Sequence, residues 1–349
     1  MRALARYLPQ LAAGVPWVEL GNWPTPLTAQ SIAGRPFWIK HEGDSHPDYG
    51  GNKLRTLEMW FGHARARGAR RIWALGAFGS NHVVAAAIHA HRADLECAAL
   101  LFPQPHSPWA HENCGAIVAS GCKVVRLRSV AELPFVGVGI AARDRDAIVM
   151  PPGGATPIGT FGALAAVFEL AEQIEAGHAP SPVRIVLPIG STCTTAGLLA
   201  GIALAETIGV WRWQVPLVHG VRVTPWPVTS RVLIAQLAAR TLARVAKLGG
   251  PRVALGLREL GARLIVDGRE LGAGYGRPTE RGAHAITTLP VPRLDGVYSA
   301  KAAAALLRLH REGVGPLLFW ATKSTTVLGA PTLDALGAAP PALVRWLRR

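Results

Sequence analysis

Six lysines stand in this chain of 349 residues, and one of them, Lys53, follows two glycines where the pattern reads as a helix start. Its surroundings run Asp48-Tyr49-Gly50-Gly51-Asn52-Lys53-Leu54-Arg55. Paired glycines let a backbone approach a ligand closely. An amine in the first helical turn sits against the positive end of the helix dipole, where a cation is disfavoured. Such an amine has a lowered pKa and acts as a nucleophile toward an aldehyde. Taken alone, the loop also fits a plain glycine turn followed by a surface lysine.

Three further loops carry groups that could hold a ligand. Gly76-Ala77-Phe78-Gly79-Ser80-Asn81-His82 follows the apolar run 72–75 and puts Ser, Asn and His at a helix start. Side-chain donors and free backbone N–H groups there suit a carboxylate or a cofactor oxygen, although for Ser80 alone an N-cap is the simpler role. Leu187-Pro188-Ile189-Gly190-Ser191-Thr192-Cys193-Thr194-Thr195-Ala196-Gly197 has the make-up of a phosphate cradle, with hydroxyls and successive N–H groups at a helix N-terminus. It lacks the lysine of a nucleotide-hydrolysing P-loop, and no GxGxxG dinucleotide pattern accompanies it. A cradle for one phosphate monoester remains. Pro151-Pro152-Gly153-Gly154-Ala155 could let a flat ring lie against the backbone, but Pro-Gly pairs are ordinary turns as well.

The elements that must position these loops alternate. Strands are expected at 36–41, 71–75, 96–102, 123–127, 147–150, 184–187, 216–223, 263–266 and 316–320. Helical patterns lie at 54–67, 81–92, 159–176, 196–207, 229–247 and 300–312. Strand–helix alternation implies an α/β protein with open, mainly parallel, twisted sheets covered by helices on both faces. In such sheets ligands bind beyond the carboxyl ends of strands, where all four loops fall.

Composition bounds the partners. Half of the residues are hydrophobic and 17% are charged, enough for a large core in one or two joined domains. The net charge of +15 invites a nucleic-acid role, but the basic residues, mostly arginine, are scattered singly and no recognition motif accompanies them. Cys97, Cys114, Cys122 and Cys193 form no CxxC pair and have no histidine at metal-ligand spacing, so free thiols and no metal are expected. The prolines and arginines of the first 17 residues argue against a signal peptide. An uncharged run of 21 residues, 185–205, could span a bilayer by length, but Pro188, Gly190 and a central polar stretch fit a strand, a loop and a helix better. No membrane partner and a cytoplasmic location are therefore expected.

In their order along the chain, these loops resemble the 1-aminocyclopropane-1-carboxylate deaminase/D-cysteine desulfhydrase family. That family is a branch of the tryptophan-synthase-β-like fold (fold type II) of pyridoxal-phosphate (PLP) enzymes. The matching stretches include Pro24-Thr25-Pro26-Leu27, Gly50-Gly51-Asn52-Lys53-Leu54-Arg55, Ser80-Asn81-His82, Gly153-Gly154 and Gly190-Ser191 with Ala196-Gly197-Leu198. Gly274-Tyr275-Gly276 with Pro278-Thr279, and Leu294-Asp295 with Val297-Tyr298 and Lys301, complete the set, which spans roughly residues 20 to 325. The resemblance implies that Lys53 carries the cofactor as a Schiff base and that Asn81 bonds its phenolic oxygen. It implies further that Gly153 and Gly154 lie by the ring and that the backbone at Ser191, Thr192, Cys193, Thr194 and Thr195 binds the phosphate. Thr322 then falls beside the pyridine nitrogen, a hydroxyl partner that suits α,β-elimination or β-replacement. Ser80, Asn81 and His82 would hold the substrate, with Lys53, Ser80 and Tyr275 as the catalytic groups.

The departures from that family are local. Thr192 and Cys193 stand where it has glycines, and Thr195 where it has a histidine. Thr287-Thr288-Leu289-Pro290-Val291-Pro292 carries no carboxylate where the family has an acidic segment, which speaks against a ring-opening deaminase. Ala321-Thr322-Lys323-Ser324 replaces a His-Thr-Gly-Gly segment and is expected to add a charge beside the ring. The leading expectation is a PLP lyase acting by α,β-elimination on a small amino acid, with D-cysteine the family default and pyruvate, ammonia and sulfide as products. A β-replacement or other specialised amino-acid reaction, and a catalytically degenerate binding protein, are the alternatives. A small domain at 50–160, inserted into a larger one formed by 1–49 and 161–349, would leave the cofactor in the cleft between them, and the resemblance implies a homodimer.

Overall fold

Residues 184–189 show why a parallel sheet forms here: after Arg184 every side chain is apolar, and every one is buried. Only a strand covered on both faces accommodates such a run. The computed structural model describes residues 1–289 and 291–348. Pro290, in the acid-free stretch, thus lies outside the described residues.

The described strands are β1 (Leu27–Ile32), β2 (Arg35–His41), β3 (Arg71–Ala77), β4 (Glu96–Phe102), β5 (Lys123–Arg126), β6 (Ala147–Met150), β7 (Arg184–Ile189), β8 (Leu217–Arg222), β9 (Leu264–Asp267) and β10 (Leu317–Ala321). They form a six-stranded sheet, in the order β1-β2-β10-β7-β8-β9, and a four-stranded sheet, β5-β4-β3-β6. Every pairing is parallel except the β1–β2 hairpin. The expected α/β architecture of two open, mainly parallel sheets flanked by helices is present. β1 was not expected: its residues, Leu-Thr-Ala-Gln-Ser-Ile, are mostly exposed, and pairing with β2 rather than an apolar face makes it a strand. The helices Pro108–Ala119 and Leu133–Arg143 were also missed. The first starts at Ser107, whose hydroxyl accepts from the Ala110 N–H. The second, with two glycines and an exposed apolar face, has no helical stripe to read.

The uncharged run 185–205 resolves into β7, a turn and the helix Cys193–Thr207, which is buried from Cys193 to Ala205. Its small residues permit that burial: a Cβ on Gly197 would lie 2.6 Å from the Thr160 carbonyl oxygen, and one on Gly201 2.7 Å from that of Leu164. The neighbouring helix, Phe161–Glu175, therefore packs almost backbone to backbone against it. Among the described residues no helix is long and apolar enough to cross a membrane.

A buried ionic network fastens the helix that begins at Lys53 (Lys53–Ala66) to the six-stranded sheet. Arg55 reaches Glu42 through Nε at 2.7 Å and Nη2 at 2.8 Å, and Glu169 through Nη1 at 3.1 Å and Nη2 at 3.0 Å. Lys40 of β2 joins from below, donating to Glu169 at 2.5 Å and to Gln173 at 2.8 Å. All four charged groups are buried. Burial opposes the Glu169 charge, but Arg55 and Lys40 overcome it and hold the carboxyl at about 2. The helix Pro341–Leu347 packs onto the core of the four-stranded sheet through Leu343 and Leu347, and the helix Leu333–Ala338 rests against the same cluster through the partly buried Ala335 and Leu336.

Candidate active site

The loops beyond the carboxyl ends of β3, β4, β5, β6, β7, β8 and β10 converge on one cavity of about 630 Å³. Lys53 lies at its floor. Reaching it takes a tight turn: Gly51 has φ +107°, and a Cβ on Gly50 would collide with the carbonyl of Gly43. The turn is held by Gly51 N–H to the Glu42 carbonyl at 2.8 Å, Gly50 N–H to Ser324 Oγ at 3.0 Å, and Asn52 N–H to the Thr322 carbonyl at 3.2 Å. Lys53 Nζ makes one long hydrogen bond, 3.4 Å to Ser191 Oγ. Desolvation by the surrounding protein lowers its pKa, opposed only by Cys193. No aspartate or glutamate lines the cavity among the described residues. Burial without a counter-charge favours the neutral, nucleophilic form of the amine.

The expected partners surround it. Ser80, Asn81, His82, Gly153, Ser191, Thr192, Cys193, Thr194, Thr195, Tyr275 and Thr322 all line the same cavity, each delivered by a strand-end loop or a helix start. Gly154 is the exception. It sits behind the wall, where its carbonyl accepts from Trp60 Nε1 at 3.1 Å and a Cβ would meet Thr56 at 2.5 Å. Gly153 faces inward with φ +64°, and an added Cβ would strike Ser191 Oγ and lie 3.5 Å from Lys53 Nζ.

The helix Cys193–Thr207 opens with Thr192 at φ +72°, and no side chain caps it. Its first N–H groups are thus left for something other than protein. Thr194 Oγ1 accepts from Asn52 Nδ2 at 2.8 Å, which leaves its own proton to donate. Cys193 turns away, toward Thr56 and the Gly154 carbonyl, and burial raises its thiol pKa.

Asn81 shows the most ordered environment. Its Oδ1 accepts from Tyr49 OH at 2.8 Å, Asn113 Nδ2 at 2.8 Å and Lys323 Nζ at 3.2 Å. With three donors on one oxygen, the amide is locked with Nδ2 as its donor toward the cavity. Lys323 was expected as a charge beside the ring. Instead it is 2% exposed, stays outside the cavity lining, and also bonds Asn113 Oδ1 and Tyr49 OH at 3.3 Å each. His82 contrasts with this order: neither ring nitrogen has a partner, and burial holds its pKa well below 6.5, so the ring is neutral.

Sequence reasoning missed Tyr298 as a site residue. Its hydroxyl lies 2.6 Å from that of Tyr275, both rings line the cavity, and desolvation pushes Tyr275 up to about 12. Asp295 holds Tyr298 in place by accepting from the N–H groups of Val297 at 2.9 Å and Tyr298 at 2.7 Å. Lys301 donates to the carbonyls of Leu271 at 2.8 Å and Gly274 at 3.2 Å, which fastens the Tyr275 loop. The stretch that carries Asp295, Tyr298 and Lys301 was visible in sequence, but its contacts were not. Among the described residues no cluster could hold a metal ion.

Fold and site together define a cofactor-dependent α/β enzyme. Residues 18–315 match the family model of pyridoxal-phosphate dependent enzymes, and the chain belongs to that family. The Nocardicin C-9′ epimerase of Nocardia uniformis subsp. tsuyamanensis is 33% identical over 95% of this chain and 99% of its own. A D-cysteine desulfhydrase of Klebsiella pneumoniae is 30% identical over 92% and 96%. A crystal structure of an ACC deaminase homologue, 25% identical, superimposes with a TM-score of 0.74 over 95% of this chain and 99% of that one. The residues fit the cofactor on their own terms: an uncapped helix N-terminus for a phosphate, a locked amide donor for a phenolic oxygen, and a free amine for an aldehyde.

Proposed function

We propose that this PLP-dependent enzyme is a lyase that acts on an amino acid by α,β-elimination. The observation that carries the proposal is the Lys53 amine, enclosed by protein, free of any carboxylate, and placed beside Gly153 and Ser191. When bound, the cofactor supplies an aldehyde that takes up amines and a ring that withdraws electrons from the α-carbon. Lys53 would be its attachment point and, with its amine free, the base that takes the α-proton. The N–H groups at 192–195 and the Thr194 hydroxyl hold the phosphate. Asn81 Nδ2 would donate to the phenolic oxygen, and Thr322 would serve the pyridine nitrogen. The Ser80 hydroxyl and the one N–H of the neutral His82 ring would donate to the substrate carboxylate. The Tyr275–Tyr298 pair places a phenol hydroxyl on the cavity wall, where it would hydrogen-bond the departing β-group.

D-Cysteine, the substrate named for the relative above, is the first compound to assay; loss of its β-thiol and hydrolysis of the remainder yield sulfide, pyruvate and ammonia. Residues 50–160 as a smaller domain, a homodimer and a cytoplasmic location complete the proposal. They rest on the family resemblance and on four free cysteines. The test is pyruvate release from D-cysteine and other β-substituted amino acids, with Lys53→Ala as the control. Pyruvate from the parent and none from the variant is expected; full turnover by Lys53→Ala would overturn it.

A second reading has its own support. The 33% identical relative is an epimerase, and phenols as well as an amine face this cavity. Lys53 would then take the α-proton and Tyr275 return one, with the β-group retained. Deuterium uptake at the α-carbon without pyruvate favours this outcome.

A further inference from the structure

The geometry points to a substrate whose amino-acid end is joined to a bulky apolar body, rather than to a small amino acid. The inference rests on the placement of Lys53 as the reactive amine and names what the rest of that cavity takes. At about 630 Å³ the cavity lies mid-range for sites, roughly 300–1,000 Å³, that enclose drug-sized ligands. Most of its polar groups surround Lys53, Asn81 and the helix start at Cys193, with Arg128, Ser129 and Thr224 the polar members of the segments farther along the chain. A ring and one phosphate are satisfied there.

The outer part is different. Phe102 at the end of β4 and Pro103 after it, with Val130 and Leu133 after β5, form one wall. Pro225 and Val228 after β8 form the other. The walls thus come from different sheets and line the same cavity. Among the described residues no acidic side chain of either segment lines the cavity, Glu132 standing outside the lining, and Arg128 is the one charged side chain of these segments that does. Both segments also leave apolar side chains in solvent: Val130 is 57% exposed and Val228 47%, and their neighbours Phe135 and Trp226 are 80% and 72% exposed. An exposed apolar patch rimmed by a catalytic pocket marks a ligand-binding groove. D-Cysteine, a few atoms long, would reach none of these side chains. An aromatic or aliphatic body attached through the β-substituent would lie between the two walls and exclude water from the reactive end.

The test compares S-methyl- and S-benzylcysteine, in both enantiomers, as substrates of the cofactor-loaded full chain, with pyruvate as the readout. Their leaving groups are chemically alike, so the comparison isolates the apolar body. A preference for the benzyl compound in kcat/KM of at least about 10-fold is expected, since a single methylene fitted into an apolar pocket is already worth that much. Val228→Asp should shrink that ratio. In parallel, calorimetry measures binding of 3-(benzylthio)propanoate and 3-(methylthio)propanoate, which lack the amine and cannot react. Tighter binding of the benzyl acid, with a negative heat-capacity change, supports an apolar groove. Faster pyruvate release from the methyl compound, with no binding advantage for the benzyl acid, overturns the inference and leaves the lyase proposal standing. No pyruvate from either compound, with the binding preference intact, sinks α,β-elimination and leaves the substrate class standing.

Discussion

Replacing Arg55 by leucine removes the guanidinium at the centre of the network under the Lys53 helix. Arg55 makes four hydrogen bonds to two buried carboxylates and stacks 3.7 Å above the Trp23 ring. Each charged bond is worth about 1.5–3 kcal/mol before the cost of desolvating the guanidinium, which cancels much of the sum. Breaking a buried pair by deleting one partner leaves an uncompensated charge and costs about 3–5 kcal/mol. Glu169 offers an independent route to the magnitude. Its carboxyl stands at about 2 against an ordinary 4.5, and Arg55 is the larger of the two cationic causes. At about 1.4 kcal/mol per pKa unit, that depression contributes roughly 3 kcal/mol at neutral pH, and most of it depends on Arg55.

The pH dependence follows from the sign. A carboxyl with a depressed folded pKa stabilises the fold above its unfolded value of 4.5, and that contribution fades as pH falls toward 2. The deficit of Arg55→Leu should therefore be largest at pH 7 and shrink through the window from 4.5 to 2. Denaturant melts of the cofactor-free protein at several pH values read it directly, with Arg55→Lys as the variant that keeps the charge. A loss under about 1 kcal/mol, or a deficit unchanged by acid, would refute this account of the network.

Three smaller changes probe the site. Gly153→Ala places a methyl on Ser191 Oγ at a φ of +64° and should cost about 1–3 kcal/mol, with a matching fall in PLP affinity seen in absorbance titrations. Thr192→Gly removes a β-branched residue from φ +72° and should raise the stability of the cofactor-free protein by up to about 1 kcal/mol in thermal melts. Asn81→Asp keeps an acceptor for Tyr49, Asn113 and Lys323 but loses the Nδ2 donor, so PLP should dissociate about tenfold more readily, the worth of one hydrogen bond.

The strands were legible because parallel sheets are built from apolar runs: β4 and β6 begin and end where the residue pattern does. β1 was illegible because exposed Thr, Ala, Gln and Ser are made a strand by their partner, not by their own pattern. Lys53, Asn81 and the phosphate-type loop could be picked out because glycines, hydroxyls and helix starts cluster locally around them. What no local pattern reveals is convergence. Tyr49, Asn113 and Lys323 lie up to 274 positions apart, and only the fold brings them onto Asn81. Arg55, next but one to Lys53, looks catalytic by adjacency, yet a helix turns it the other way, into the ionic network.

The most direct test of the central claim is to load the full chain with PLP, reduce it with borohydride, and map the labelled peptide. The account predicts that the visible absorbance of the bound cofactor disappears and that a single adduct appears on Lys53. An adduct on Lys323, Lys40 or another lysine, or no adduct at saturating PLP, would contradict it.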